Sequence, residues 1–182
     1  MYLDANVGLG HARLSIVDLA GGLQPLTNED ESLWLVCNGE IFNYVELRAE
    51  LIARGHHFKT GSDSETILHL YEERGPDCVQ ALNGDFAFAL WDSKRQRLLL
   101  ARDRLGVRPL FYTEAGGRLI FGSEIKALLA QAAVARDLDP IALGQVFTTW
   151  SPVPPRTMFR RIQSLRPGHV LIADRSMLTI RQ

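Results

Sequence analysis

The sequence predicts a layered α+β domain, and three observations support this prediction. Strand-like hairpins occupy the middle of the chain, between residues 86 and 121. Patterns that are typical of helices precede and follow these hairpins. The chain has 182 residues, of which 46% are hydrophobic, so it can bury one sizeable core. Hairpins with helices on either side usually pack as layers around such a core.

The composition narrows the range of partners and compartments. Twenty Lys and Arg residues against twenty-one Asp and Glu residues leave a formal net charge of -1, which gives no reason to expect a nucleic acid or a membrane. No apolar run approaches the length that spans a bilayer. The two cysteines, Cys37 and Cys78, together with a start that does not resemble a signal, predict a cytoplasmic protein without a disulfide. We therefore expect a small molecule or another protein as the partner.

A buried strand is predicted over 33–37, where five apolar residues lead up to Asn38 and Gly39. An Asn-Gly pair is the strongest short signal for a tight hairpin turn, and this alternative stays open for the pair alone. The residues that follow favour a helix over 45–52, with Gly55 at its C-terminal end. At a junction between a strand and a helix, an Asn amide beside a glycine N–H offers two donors to a developing oxyanion.

A second helix is predicted to begin near Ser62 and to end at the Gly-Pro pair at 75–76. Ser62 and Glu65 have the spacing of a capping box. Asp63 falls in the first turn, where the helix dipole favours a carboxylate. Two roles are open for Asp63, which either contacts a ligand or only supports the helix cap.

Two adjacent histidines, His56 and His57, raise the question of a metal site. Neighbours in a strand point to opposite faces, and the sequence shows no Cys or carboxylate cluster that would supply the remaining ligands. We therefore predict a short strand or an approach segment over 56–60 with a solvated or hydrogen-bonded pair of histidines, and no metal.

The second half of the chain continues the alternation of strands and helices. Large and small side chains alternate over 86–91, which is typical of a strand buried on both faces. Residues 97–101 should pair with it in an antiparallel hairpin. Further strands are expected at 118–121 and 168–173, with helices over 125–129 after an N-cap at Ser123 and over 140–147 after an N-cap at Asp139.

Five polar or glycine positions at strand edges and helix starts suggest an amino-acid pocket. A free amino acid is a zwitterion, so its pocket needs a guanidinium for the carboxylate and a carboxylate for the ammonium. Arg13 and Asp63 could supply these groups, while Asn38 and Gly39 could face a side-chain carbonyl and Glu40 lies beside them.

Six stretches that contain these residues resemble the glutaminase domain of glutamine-hydrolysing asparagine synthases, which are class II, N-terminal-nucleophile glutamine amidotransferases. The stretches are 10–18, 38–44, 62–65, 82–92, 101–110 and 123–128, and the resemblance extends to 151–155 and 165–169. The resemblance implies an αββα four-layer sandwich with two antiparallel sheets.

The resemblance also implies a role for each site residue. Arg13 would hold the glutamine carboxylate and Asp63 its ammonium, while Asn38 and Gly39 would form the oxyanion hole. The complete set that would bind glutamine is Arg13, Ile16, Val17, Asn38, Gly39, Glu40 and Asp63. Asp103 and Arg104 would hold a structural turn.

The nucleophile is where the sequence departs from the family. Family members attack the amide with the thiolate of a processed N-terminal cysteine, whereas this sequence has Met1 and Tyr2. Cys37 is expected in a buried strand on the face opposite Asn38, and Cys78 inside a helix, so neither is expected to replace it.

We interpret residues 1–182 as a single glutamine amidotransferase type-2 domain that lacks its N-terminal strands and nucleophile and ends before the synthetase domain. The main hypothesis is a glutaminase domain of an asparagine synthase-like protein that binds glutamine. In intact family members it would release ammonia for the ATP-dependent amidation of aspartate. We expect this chain to be inactive alone.

No cofactor is expected in this domain, since ATP and Mg²⁺ belong to the synthetase domain. A synthetase domain or subunit, and a second copy of the chain in a homodimer, are the expected protein partners. One alternative is a non-catalytic module that binds an amino acid or docks on a partner. Another is a start codon that was assigned too late.

Overall fold

The computed structural model describes residues 1–12 and 22–182, and it has the predicted α+β architecture. The described strands are β1 (Tyr2–Leu3), β2 (Gly8–Leu9), β3 (Leu26–Thr27), β4 (Leu33–Ile41), β5 (Gly84–Asp92), β6 (Arg97–Arg102), β7 (Phe111–Ala115), β8 (Arg118–Gly122), β9 (Gln163–Ser164), β10 (Val170–Ala173) and β11 (Leu178–Arg181). The described helices are α1 (Tyr44–Ala53), α2 (Glu65–Arg74), α3 (Ile125–Leu129) and α4 (Pro140–Thr149), with a 3-10 segment at Gly75–Ala81. Within these residues, no helix is long and apolar enough to cross a membrane.

The strands form two antiparallel sheets and a small ribbon. The larger sheet has the strand order β11-β10-β6-β5-β4-β3, and the smaller has the order β8-β7-β9. β1 and β2 pair with each other as the ribbon. The predicted antiparallel hairpin of β5 and β6 is confirmed, with Ala87 opposite Arg102 and Asp92 opposite Arg97.

Alternation along β5 explains how the layers form. Phe88 and Leu90 belong to a core that the larger sheet shares with α1 and α2. Ala89 and Trp91 belong to a second core, between the larger and the smaller sheet. A third cluster around Leu128 packs α3 against the smaller sheet. The layers are therefore helix, sheet, sheet and helix, which is the αββα sandwich that the resemblance implies.

The strand before the first helix is longer than predicted. β4 continues through Asn38 and Gly39 to Ile41, so the Asn-Gly pair lies within a paired strand and forms neither a hairpin turn nor a strand-to-helix junction. Gly39 allows β4 and β5 to pair closely, because a Cβ at this position would overlap the carbonyl oxygen of Asp85. Gly39 also has a φ of +138°, which favours glycine. The polar groups therefore project from the strand itself.

Two of the predicted helix caps are wrong, and tertiary contacts explain why. Glu65 does not reach back to Ser62, because its carboxylate accepts hydrogen bonds from the N–H groups of Lys59 and Thr60. Ser123 makes no capping hydrogen bond, since α3 has Glu124 at its N-cap position. The third cap is confirmed: Asp139 accepts hydrogen bonds from two N–H groups in the first turn of α4.

Two strand predictions also need correction. Residues 56–60 form no strand, and the end of the chain adds β11, which pairs with β10. Between these two strands, the carboxylate of Asp174 accepts hydrogen bonds from the N–H groups of Ser176 and Met177 and so closes a turn.

The close pairing of β4 and β5 gives a first testable prediction. A Cβ at position 84 would overlap the carbonyl oxygen of Glu40, a backbone atom that cannot rotate away. We expect Gly84→Ala to lower the free energy of unfolding by about 1–3 kcal/mol in a urea titration. The matched control is Gly144→Ala in α4, where nothing lies within 4 Å of the added Cβ, and this change should raise stability by roughly 0.5–1 kcal/mol. Equal effects of the two changes would contradict the steric explanation.

Candidate functional site

A cavity of about 550 Å³ opens where the second half of β4 meets the start of α2. Four of the predicted site residues, Asn38, Gly39, Glu40 and Asp63, line it together. Other residues that line it include Gln24, Ser64, Arg108, Ser123, Glu124 and Lys126. The structure thus brings together residues that the sequence places on separate segments.

A larger cavity of about 700 Å³ lies elsewhere on the molecule, lined in part by Asp77, Asp103, Arg104 and His169. Asn38, Gly39, Glu40 and Asp63 do not border it. Size alone would favour this cavity as the binding site. The donors of Asn38 and Gly39 and the buried carboxylate of Asp63 favour the smaller cavity instead.

Asp63 lies in the turn before α2 and is only 5% exposed. Its Oδ2 accepts a hydrogen bond of 2.7 Å from the N–H of Ile41, which joins the end of β4 to the start of α2. Its Oδ1 has a weak contact of 3.5 Å with the hydroxyl of Ser62. One carboxylate oxygen therefore anchors the backbone, and the other is left for a cationic donor in the cavity.

Asn38 and Gly39 place two kinds of donor at the cavity wall. The side-chain amide of Asn38 donates to the hydroxyl of Ser123 across a long distance of 3.4 Å, which a stronger acceptor could replace. Ser123, which was predicted to cap a helix, therefore lies opposite Asn38 at the site. Gly39 has no side chain, so a ligand can approach its backbone closely.

Gln24 fixes the backbone immediately before Asn38. Its side-chain amide donates to the carbonyl oxygen of Cys37 at 3.0 Å, and its carbonyl oxygen accepts from the Cys37 N–H at 2.6 Å. These two bonds continue the edge of β4 beyond its pairing with β3. No sequence pattern predicts this contact, because Gln24 lies in a segment whose Gly and Pro residues indicate only a loop.

Cys37 also lines the cavity, but neither cysteine has the low thiol pKa that a nucleophile needs. Cys37 belongs to the helix-side core, whereas its neighbour Val36 faces the smaller sheet, which confirms that Cys37 and Asn38 point to opposite faces. Burial raises the pKa of the Cys37 thiol to about 12, and burial likewise raises the pKa of Cys78 to about 12. Both are free thiols, as predicted.

Asp103 stabilises the turn after β6. Arg108, at the end of this turn, brings a positive charge to the cavity. The buried Asp103 carboxylate accepts hydrogen bonds from the N–H groups of Leu105, Val107 and Arg108, each at 3.0 Å. The expected structural role of Asp103 is therefore seen directly. Arg108, which the sequence analysis did not single out, lines the cavity beyond this turn.

Three predicted site residues, Arg13, Ile16 and Val17, lie outside the described residues. Their assigned contacts with glutamine stay predictions.

Solved structures establish the class of fold. The chain matches glutamine phosphoribosylpyrophosphate amidotransferase from Bacillus subtilis, complexed with ADP and GMP, with a TM-score of 0.63 and 22% identity, over 88% of this chain and 31% of that chain. It matches a glutamine aminotransferase class-II domain protein from Silicibacter pomeroyi with a TM-score of 0.50 and 15% identity, over 84% and 68% of the two chains. At these identities the likeness concerns the fold alone, which is that of the N-terminal-nucleophile amidotransferases.

Sequence comparison then identifies the family. A family model described as a glutamine amidotransferase domain matches residues 1–182, so the chain belongs to that family. The chain is 46% identical over 178 residues to asparagine synthetase (glutamine-hydrolysing) 3 of Bacillus subtilis strain 168, a match that covers 96% of this chain and 29% of that protein. It is 51% identical over 140 residues to a putative asparagine synthetase (glutamine-hydrolysing) 1 of Methanocaldococcus jannaschii, covering 75% and 25%. The chain spans less than a third of the length of these curated relatives.

The burial of both thiols predicts their reactivity. In the native chain at pH 8, we expect Cys37 and Cys78 to react with a thiol reagent such as DTNB at least about 100-fold more slowly than in guanidinium, because a thiol with a raised pKa carries almost no thiolate. Two thiols per chain should react after denaturation. Fast labelling of Cys37 in the native chain, located by mass spectrometry, would show that the thiol is accessible after all.

Proposed function

We propose that the cavity at the end of β4 binds the amino acid glutamine as the substrate side of a glutaminase site. The observation that supports this most is the convergence of Asn38, Gly39, Glu40 and Asp63 on one cavity. The Oδ1 of Asp63 would accept a hydrogen bond from the substrate ammonium, and Arg13 would pair with the substrate carboxylate.

The donors on β4 would act on the other end of the substrate. As a thiolate attacks the side-chain amide, its carbonyl oxygen becomes negatively charged. The Asn38 amide and the Gly39 N–H would donate hydrogen bonds to this oxygen and so stabilise the transition state more than the ground state. The Asn38 amide would exchange its long bond to Ser123 for this stronger one.

We propose that residues 1–182 form one domain and supply the substrate-binding side of the site, but not the attacking thiolate. Cys37 and Cys78 are the only cysteines in this sequence, and both are buried. The relatives that match most of the chain are named glutamine-hydrolysing asparagine synthetases, which does not favour the alternative of a non-catalytic module.

The proposed partner is a synthetase domain or subunit that would use the released ammonia, with ATP and Mg²⁺, to amidate aspartate. No cofactor is assigned to the glutamine site itself. An apolar stripe at the end of α4 supports a protein partner, because Leu143 and Phe147 share one helix face and Trp150 follows at the C-cap, and the last two are 83% and 92% exposed. In a preparation of this chain alone, we propose that the stripe pairs two copies. The two free cysteines fit a cytoplasmic location.

Asp63→Asn tests the ligand role of this residue apart from its structural role. An Asn oxygen can still accept from the N–H of Ile41, but the charge that would hold the substrate ammonium is lost. We expect glutamine affinity, measured by calorimetry, to fall roughly ten- to hundredfold, with little change in stability, since a hydrogen bond to a charged group contributes about 1.5–3 kcal/mol. The matched control is Asp85→Asn on β5, which borders only the larger cavity and should leave affinity unchanged.

Three outcomes would count against the proposal. If the wild-type chain gives no heat with millimolar glutamine, the binding site itself is refuted. If Asp63→Asn binds as tightly as the wild type, the role of Asp63 is wrong. If Asp63→Ala is as stable as Asp63→Asn, the bond to Ile41 does not have the anchoring role described here.

The apolar stripe on α4 gives a separate prediction. We expect the double change Phe147→Ser and Trp150→Ser to lower self-association in sedimentation experiments, because it removes the exposed apolar surface that would be buried on pairing. The control is Leu105→Ser, another exposed apolar side chain, which lies in the turn after β6 and should leave association unchanged. Identical sedimentation of all the variants would rule out the stripe as an interface.

A further inference from the structure

Four side chains that favour metal binding meet at a place distinct from the glutamine cavity. Glu29, His56, His69 and Glu72 each direct one ligand atom to a common point, and these four atoms all lie within 4.8 Å of one another. They come from three segments: the loop before β4, the loop after α1, and α2. His69 is fully buried and His56 is mostly buried, while Glu29 and Glu72 are exposed, so the group lies where a buried imidazole meets the protein surface.

The spacing of the ligand atoms fits tetrahedral coordination. Metal–ligand distances of about 2.0–2.1 Å place neighbouring ligand atoms about 3.3 Å apart in a tetrahedron. The Oε2 of Glu72 lies 2.9 Å from the Nδ1 of His69 and 3.3 Å from the Nδ1 of His56. The Oε2 of Glu29 lies 3.7 Å from the Nδ1 of His69. These three distances lie below, at and above the distance expected in a tetrahedron. The four side chains therefore need to move only slightly to enclose an ion.

An outer partner orients one of the two histidines. Histidines that bind metals usually have a carboxylate at their other ring nitrogen. The Nε2 of His56 forms a hydrogen bond of 3.0 Å with the Oε1 of Glu73. The buried Nε2 of His69 lies 3.8 Å from the Oε1 of Glu65 and makes no hydrogen bond with the described residues.

The two carboxylate ligands are held in the same way. The Oε1 of Glu72 accepts a hydrogen bond of 2.8 Å from the side-chain amide of Asn28. The Oε1 of Glu29 accepts one of 2.9 Å from the backbone N–H of His57. In both residues the remaining oxygen, Oε2, is directed at the common point.

The electrostatic environment also attracts a cation. Four carboxylates surround the two imidazoles, and among the described residues only Glu73 of these four has an arginine partner, Arg54, at 3.0 Å. The negative potential of the other three carboxylates favours a divalent ion.

We propose that Glu29, His56, His69 and Glu72 bind one divalent transition-metal ion of the Zn²⁺ type. Two imidazoles and two carboxylates match the ligand preferences of this ion, and four protein ligands leave no open position, as in structural sites. The ion would join three segments around α2. The proposal would revise the expectation that no metal binds at the His56-His57 pair, because Glu29 and Glu72 lie far from this pair along the chain.

The test uses the chain after treatment with EDTA and dialysis. We expect calorimetry with Zn²⁺ to show one ion bound per chain, Co²⁺ to give the visible absorption of a tetrahedral complex, and Zn²⁺ to raise the midpoint of thermal unfolding. His56→Gln and Glu72→Gln should each lower the affinity at least tenfold and remove the Co²⁺ band. The matched control, His57→Gln, replaces the neighbouring histidine outside the cluster and should bind as the wild type does.

Two further results decide the proposal. Glu73→Gln should weaken binding by about 10–100-fold while leaving one ion per chain, because it removes an orienting partner and not a ligand. Failure of Zn²⁺ to bind, or binding that His56→Gln and Glu72→Gln leave unchanged, would overturn the site and leave a cluster of hydrogen bonds between the imidazoles and the carboxylates. Circular dichroism of each variant without metal shows whether a loss of binding reflects unfolding.

Discussion

The hydrogen bond from the N–H of Ile41 to Asp63 holds two layers of the protein together at the point where the candidate site forms. It joins the last residue of β4 to the turn before α2 at 2.7 Å, and the carboxylate is 5% exposed. A bond of this kind contributes about 1.5–3 kcal/mol, and losing the acceptor would leave a buried N–H unpaired. It also fixes where the second oxygen of Asp63 points, so the same residue serves both the fold and the pocket.

A second constraint sets how far β4 extends. Gly39 and Gly84 let the backbones of β4 and β5 pair closely, since a Cβ at either position would overlap a carbonyl oxygen of the other strand. The ladder therefore continues past Asn38 to Ile41. Without these glycines the chain would have to diverge before Asn38, and the polar groups of β4 would no longer face Asp63. Gly39 and Gly84 thus determine how far the paired part of β4 extends along the cavity wall.

The sequence predicted features whose signals are local. The alternation in β5, the helices α1 and α2, and the cap at Asp139 each follow from a few adjacent residues. The length of β4 depended on Gly84, and the cap at Ser62 failed because Glu65 binds the N–H groups of Lys59 and Thr60. These outcomes depend on tertiary contacts that adjacent residues do not show. In the same way, the residue types and positions of Asn38, Gly39, Glu40 and Asp63, together with a resemblance, predict a site there, while the cavity positions of Gln24, Arg108 and Ser123 required the folded backbone.

Helix α2 connects the two polar regions of the molecule. Its first turn and the residues before it, 62–66, are buried although most are polar, and His69 is fully buried one turn later. Burying polar groups is unfavourable unless each finds a partner, and here the partners come from β4 and the loop at 56–60. Directional bonds on two sides therefore position α2 more strictly than apolar packing alone would. A helix fixed in this way can hold Asp63 in place at one end while His69 and Glu72 lie among other carboxylates further along, so the candidate cavity and the proposed metal cluster share one element.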